Sequence, residues 1–412
     1  MSAQIYRPLI IMLLYNIPPA ETRLSWTALS KGFIPGRSDF SGKIRNLTSG
    51  RACILAGSAR ILLYLLFKEL RGQAGPEKSE VLLPGYTCYS VAAAAVKAGL
   101  RVALYDLNPR TFQPDLHSVE RALSDRTLAV VGQHLLGMPA DLEPLISAAQ
   151  RHGVCLIEDS AQFMASNQTK QFSTGADFTV YSFGRGKPLP LGGGGALIAN
   201  SPKATTPLKR IAEAVLTSPN GSKGPMAPAM TRIMSWPRLY WMLEKLPIGL
   251  GRTVYDPGFP VTSMAAALQR IGTAALSDLA LLNQHRAMIG EIYIKGFQSG
   301  PTQGSLSYVP SCVRFPILVR CRDKMRQLAA YGVRRLYPMA LVDLPALRSR
   351  LADPVPKTFG AREIAQRMVT LPTHLGVDQR LAEIIVNIAQ AAFEDIQTVT
   401  SVTSTSGTKK TP

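Results

Sequence analysis

The chain has 412 residues, 46% of them hydrophobic and 18% charged, a balance that excludes a disordered protein and leaves room for a large domain plus a smaller one. Its formal charge of +19 favours acidic ligands such as phosphates, nucleic acid or an anionic membrane surface, and says nothing of fold. Cys53, Cys88, Cys155, Cys312 and Cys321 show no close paired spacing, so reduced thiols in a cytoplasmic protein are expected rather than a disulfide framework or a metal site.

The first apolar run, LIIMLLY at residues 9–15, falls short of the roughly 20 residues that span a bilayer and has no small-residue cleavage site. It is read as a docking segment or core element. Next, GSAR at 57–60 opens the helix-like run ILLYLLFKEL. Free backbone amides at a helix start bind phosphate, and the same residues also make an ordinary helix cap.

From 81 to 200, short apolar strands alternate with helical stretches. RVALYDL (101–107), LAVVGQHLL (128–136), VCLIED (154–159), FTVYSF (178–183) and ALIAN (196–200) read as buried strands, and LEPLISAAQRHG (142–153) as a helix closed by Gly153. This alternation predicts an α/β domain with a mostly parallel central sheet flanked by helices. Ligands in such sheets collect at the carboxyl ends of the strands, where Asp159 and the 182–187 loop fall.

Between 201 and 260 the composition turns basic. Lys203, Lys209, Arg210, Lys223, Arg232, Arg238, Lys245 and Arg252 face only Glu213, Glu244 and Asp256. MTRIMSWPRLYWMLEKLPIGLG (230–251) mixes Trp236 and Trp241 with basic residues, as an interfacial amphipathic segment or as an inserted helix packed on its own protein or a dimer partner. Pro237 argues against one continuous helix there. LSDLALLNQHRAMIGEIYIKGF (276–297) reads as a long helix leading to VRFPILV (313–319), GVRRLYPMAL (332–341) and a final amphipathic helix at 378–396. The expected division is therefore a large domain over 1–275 with its basic insertion, a linking helix and small α+β domain over 276–396, and a disordered tail over 397–412.

YSFGRGKPLPLGGGG (181–195) sets Lys187 between a serine–aromatic pair and four glycines. A lysine is a nucleophile only when deprotonated, so Lys187 is either a solvated loop charge or an amine held for chemistry. Asp159, in IEDSAQ, ends a buried strand and needs a cation or donors; capping the next helix is the alternative. His134 either approaches the pocket or is a strand-end histidine satisfied within the fold. His374, after Leu371-Pro372, has the same two options. No metal-ligand spacing and no nucleic-acid motif is present.

Taken in order, these segments resemble the DegT/DnrJ/StrS-type sugar aminotransferases, which are fold-type-I, aspartate aminotransferase-like enzymes using pyridoxal phosphate. Gly57-Ser58-Ala59 resembles the family's phosphate turn, and PGYTCYS (84–90) its Pro-x-x-Thr-aromatic segment. Residues 158–162 resemble Glu-Asp-x-Ala-Gln, and Ser182, Phe183 and Lys187 follow Ser-Phe-x-x-x-Lys. The resemblance implies that Lys187 forms the Schiff base and shuttles the proton, and that Asp159 pairs with the pyridinium nitrogen. It implies that Gln162 bonds near the phenolic oxygen, and that Ser58, Ala59 and Ser182 hold the phosphate, with Gly57 allowing the turn. Relatives with histidine at the lysine position dehydrate sugars, so Lys187 implies transamination. There are three departures: Cys88 where an aromatic ring usually stacks on the cofactor, leaving Tyr86 or Tyr89 to supply one or the cofactor without that stack; Gly193 where glutamate is usual; and Leu336 before Tyr337-Pro338 where histidine is usual.

The expected activity is transfer of an amino group from glutamate or glutamine to a keto sugar carried on a nucleotide diphosphate, in a homodimer, with Tyr89, His134 and Tyr337 as substrate-facing candidates. One rival keeps the cofactor and takes a lipid-linked or other non-nucleotide carbonyl compound at the membrane surface. The other is a non-enzymatic relative that binds cofactor or sugar without turnover.

Overall fold

The computed structural model describes residues 15–20, 23–165, 175–221, 224–245, 253–298 and 310–399; the apolar run before residue 15 and the tail from 400 lie outside them. The first part of the chain forms α1 (Trp26–Ser30), α2 (Phe40–Thr48), β1 (Ala52–Ala56), α3 (Ala59–Ala74), β2 (Glu80–Pro84), α4 (Tyr89–Lys97) and β3 (Arg101–Tyr105). It continues with α5 (Leu116–Ala122), β4 (Thr127–Gln133), α6 (Glu143–Arg151), β5 (Cys155–Asp159), β6 (Phe178–Ser182) and β7 (Gly195–Ala199).

These strands make one seven-stranded sheet in the order β1-β7-β6-β5-β4-β2-β3. The β2–β3, β2–β4, β4–β5 and β5–β6 pairs are parallel, whereas β7 is antiparallel to both β6 and β1. The sheet is thus mostly parallel, as its buried apolar runs predict, with β7 alone reversed. Alternation along the strands feeds two cores. Phe178, Val180, Leu197 and Ala199 join α3 side chains such as Leu62 and Leu66 on one face, and Tyr181, Phe183, Ala196 and Ile198 join Phe40, Leu268 and Ile271 on the other. Each fully buried side chain of this kind contributes about 1.5–3 kcal/mol. The Ser58 hydroxyl caps α3 by accepting from the Ile61 N–H at 3.3 Å, and Gly75, at φ +89°, ends it.

After β7 come α7 (Thr205–Leu216), α8 (Met226–Met234), α9 (Pro237–Lys245), α10 (Ala266–Ala275) and α11 (Leu279–Phe297). The described part of the Trp-containing stretch is therefore two short helices, broken at Ser235-Trp236 with Pro237 opening the second, where its missing N–H costs nothing. Then follow β8 (Arg314–Leu318), α12 (Phe359–Arg367), β9 (Met368–Pro372), α13 (Gln379–Ala392) and β10 (Gln397–Thr398). A second sheet, in the order β10-β8-β9, packs Phe315, Ile317 and Leu371 on Ile289, Tyr293 and Ile385 from α11 and α13.

The expectation of a loose tail from residue 397 needs correction. Gln397 and Thr398 pair with Leu318 and Ile317, and Val399 is buried. Backbone pairing at a sheet edge needs no apolar side chain, so a polar stretch gives no warning of it. All five cysteines are free thiols, with burial pushing Cys53 and Cys312 up to about 12. Among the described residues no helix is long and apolar enough to cross a membrane.

Candidate active site

Parallel strands end on the same side, and that edge gathers the chemistry. Gly57-Ser58 follows β1, Thr87-Cys88 follows β2, His134 follows β4, Asp159 ends β5, and Lys187 lies in the loop after β6. Because β7 is reversed, it begins at this edge and brings the glycines with it. A side chain at Gly195 would put its Cβ 2.4 Å from the Ala59 nitrogen. One at Gly57 would sit 2.2 Å from Thr262 Oγ1. Glycine at both positions lets the backbones close up, with Gly194 N–H donating to the Gly57 carbonyl and Gly57 N–H to that of Thr262, both at 2.9 Å. The turn that opens α3 is stitched between two other segments before any ligand arrives.

One cavity is lined by Cys88, His134, Asp159, Gln162, Lys187 and Tyr337, with Thr87, Gln133 and Ala161 beside them. Gly57, Ser58, Ala59 and Ser182 do not line it and flank it instead. Ser182 pairs with Gly195, and the position of a Cβ at Gly184 lies 3.7 Å from Ser182 Oγ and 3.8 Å from Lys187 Cγ. Tyr89 is buried and turned from the cavity, its hydroxyl bonded to Met339 backbone.

Asp159 is 8% exposed, and its Oδ1 accepts from the Ala161 N–H at 2.9 Å. Burial raises its pKa; that N–H and then the Lys187 charge pull the other way. Cost of this kind is carried where a cation is to be met. The Gln162 carbonyl oxygen accepts from Leu136 N–H at 2.9 Å, which fixes that side chain and leaves its NH₂ as the donor end. His134 lines the cavity with both ring nitrogens engaged: Nδ1 accepts from Ala140 N–H at 3.0 Å, so Nε2 carries the proton and donates to Glu158 Oε1 at 2.9 Å. Of the two options for this histidine, the structure favours the one satisfied within the fold. His374 likewise donates from Nε2 to the Pro18 carbonyl at 2.8 Å and accepts Gly376 N–H on Nδ1 at 3.1 Å.

Arg286 has no counterpart among the sequence candidates. Its guanidinium, buried in α11, donates to the Pro188 carbonyl and to Asn283 Oδ1, both at 3.0 Å, and Asn283 donates to the Met164 carbonyl at 2.9 Å. Burial lowers Arg286 to about 10. It steadies the peptide next to Lys187. The signal existed: Leu279, Leu282, Asn283, Arg286 and Ile289 recur at helical spacing, so two polar residues share the buried stripe.

An amine and a buried carboxylate facing one cavity, beside the amino end of a 16-residue helix, suit a ligand with a carbonyl, a cationic centre and an anionic group. The model of the DegT/DnrJ/EryC1/StrS aminotransferase family matches residues 35–390. L-glutamine:2-deoxy-scyllo-inosose aminotransferase of Streptoalloteichus tenebrarius is 32% identical over 198 residues, 44% of this chain and 46% of that protein. UDP-2-acetamido-2-deoxy-3-oxo-D-glucuronate aminotransferase of Pseudomonas aeruginosa is 29% identical over 180 residues, 43% of this chain and 49% of that protein. The chain spans about half the length of the curated relatives it matches. Spr1654 from Streptococcus pneumoniae, solved in its PLP form, shares the fold with a TM-score of 0.72 at 18% identity, over 92% of this chain and 98% of that one.

Proposed function

The chain belongs to the DegT/DnrJ/EryC1/StrS aminotransferase family, and from that premise we propose that it transfers an amino group from glutamate or glutamine to a keto sugar, carried on a nucleotide diphosphate, using pyridoxal phosphate. The observation that carries this reading is the single cavity shared by Lys187 and the buried Asp159. The residues fit the cofactor: Asp159 offers a carboxylate for the ring nitrogen, and Gln162 a fixed amide donor. The α3 amino end with Ser58, Ala59 and Ser182 serves the phosphate.

When bound, pyridoxal phosphate supplies an aldehyde for an amine and a cationic ring that draws electrons from the carbon being aminated. With that group bound, Lys187 Nζ would carry the proton between the substrate carbon and the cofactor. Asp159 stays ionised beside the ring cation, which offsets its burial. Arg286, through Pro188, limits how far the Lys187 backbone drifts, and a small displacement of a proton-transferring group is costly. The expected homodimer is part of the same proposal, with exposed Phe33, Ile34 and Phe359 as apolar surface for a second copy to cover.

The test is an absorbance spectrum with pyridoxal phosphate before and after adding glutamate. The wild type is expected to give a visible cofactor band that glutamate bleaches. Lys187→Ala should lack that band and lose about 10²- to 10⁴-fold in turnover, the usual contribution of a positioned proton-transfer group. A wild type without the band would overturn the proposal.

A second reading moves the acceptor to a membrane surface. It is favoured by α9, which buries no residue, and by exposed Met230, Ile233, Trp236 and Met242 beside Arg238 and Lys245.

A further inference from the structure

Cys88 stands where the family resemblance leads one to expect an aromatic ring against the cofactor, and the two neighbouring tyrosines do not replace it. Tyr86 OH accepts Tyr337 N–H at 3.0 Å and donates to the Tyr337 carbonyl at 3.1 Å. Tyr89 OH does the same with Met339, accepting and donating at 3.0 Å. Each phenol thus takes the part of a peptide group on an adjacent strand, serving alternate residues of the 337–339 backbone. Gln133, at the end of β4, in turn donates to the Tyr86 carbonyl at 2.7 Å. Both tyrosine hydroxyls are spent on holding another segment.

The segment they hold carries a ring to the cavity. Tyr337 is 5% exposed and lines the cavity together with Cys88, Asp159 and Lys187. Its centroid lies 5.4 Å from that of Tyr86 and 5.9 Å from that of Tyr89, both tilted, so the ring is fixed by packing as well as by its pinned backbone. Cys88 lines the same cavity. A small residue at 88 and a large one reaching it from the second domain are complementary in volume.

We propose that Tyr337 supplies the aromatic wall of the cofactor site in place of the residue at 88, with Tyr86 and Tyr89 as positioning residues. This rests on the pyridoxal phosphate reading above. Burial first, and the neighbouring Cys88, Tyr86 and Asp159, hold the Tyr337 hydroxyl well above its ordinary pKa, so the ring stays neutral at working pH.

The experiment is an equilibrium titration of the protein with pyridoxal phosphate, read by fluorescence quenching and by induced circular dichroism in the cofactor band. Tyr337→Leu is expected to raise Kd about two- to tenfold, the range of one aromatic pair, and to weaken the dichroic band, whereas Tyr337→Phe stays within about twofold. Tyr86→Phe keeps the ring at 337 and frees its backbone, so it should alter the dichroic band with a smaller change in Kd. Adding Cys88→Phe to Tyr337→Leu should recover much of the loss, and Tyr337→Met stands in if leucine does not fold. Leucine or methionine binding as tightly as wild type with an unchanged band would overturn the inference, as would phenylalanine losing as much as leucine. A wild type that binds no pyridoxal phosphate would instead remove the cofactor reading itself, and this inference with it.

Discussion

Glu158 and Asp159 are neighbours at the end of β5 and face opposite ways, as successive strand residues must. Asp159 meets the cavity. Glu158, 1% exposed, is enclosed by protein donors: His134 Nε2 and Ser160 Oγ reach its Oε1 at 2.9 Å each, and Thr179 Oγ1 reaches Oε2 at 3.1 Å. It thereby holds the His134 ring at the cavity wall while taking no part in chemistry. Glu158→Ala strands three buried donors, each costing about 1–3 kcal/mol if left unpaired, and a loss of about 3 kcal/mol is expected in urea unfolding. An unchanged urea midpoint would contradict that role. At this scale the sequence singled out Lys187 and Asp159 by residue type and strand-end position, and Gln162 by the family resemblance; the structure lines one cavity with all three. A His134 satisfied within the fold was one of the sequence readings, but its partners were not legible, because Glu158 and Ala140 come from a different strand and a later turn. Tyr337, a substrate-facing candidate in the sequence, lines the cavity, but its link to Tyr86 spans 251 positions and leaves no local pattern.

Among the elements, β3 to β7 were readable because strands covered on both faces are continuously apolar. Their burial and the mostly parallel run of the sheet were legible, but not which strand departs from it. The reversal of β7, which delivers Gly195 to Ala59, follows from chain connection rather than from composition. β1 and β2 were not named: Ala52–Ala56 is only partly buried, and Glu80–Pro84, though buried, opens on a charge and ends on a proline. The α8–α9 pair breaks before Pro237, as its sequence suggests; α8 buries Pro228 and Ala229, while Met230, Ile233, Trp236 and Met242 stay exposed. Trp236 is 60% exposed, and Lys245 Nζ sits 3.9 Å from the Trp241 ring centroid. If this pair meets anionic lipid, co-sedimentation with vesicles containing phosphatidylserine should fall steeply between low and physiological salt, since each basic residue near the surface contributes about 1 kcal/mol. Trp236→Ala with Met242→Ala should weaken it further. Equal recovery on neutral vesicles, or none at low salt, would remove the membrane reading and leave the face for a protein partner.

Over the whole molecule, residues 15–20 run between the two domains as a strap. Ile17 is buried in the small-domain core and donates to the Ala330 carbonyl at 2.8 Å; Asn16 Nδ2 reaches Glu244 at 2.6 Å. The Pro18 carbonyl accepts from His374, and a side chain at Gly186, beside Lys187, would meet Ala20 at 3.0 Å. Burial, opposed by the Pro18 bond and reinforced by Arg23, His285 and Arg286, lowers His374 to about 4. The unfolded chain therefore takes up a proton near pH 6.5 that the folded one refuses until about 4. Stability is expected to drop through that window by up to about 3 kcal/mol, and His374→Asn should lose correspondingly less over the same range in urea midpoints. Identical pH profiles would assign the acid sensitivity elsewhere. The strap also has a consequence for biosynthesis. Ile17 leaves the ribosome 313 residues ahead of Ala330 (330 − 17 = 313), a delay of roughly a quarter of a minute to a minute. The large sheet, complete by Ala199, can assemble in that interval while the strap still lacks its partners. Closure over the Lys187 loop thus becomes a late event in the nascent chain, and the apolar Ile17 side chain stays without its core until the segment around Ala330 emerges.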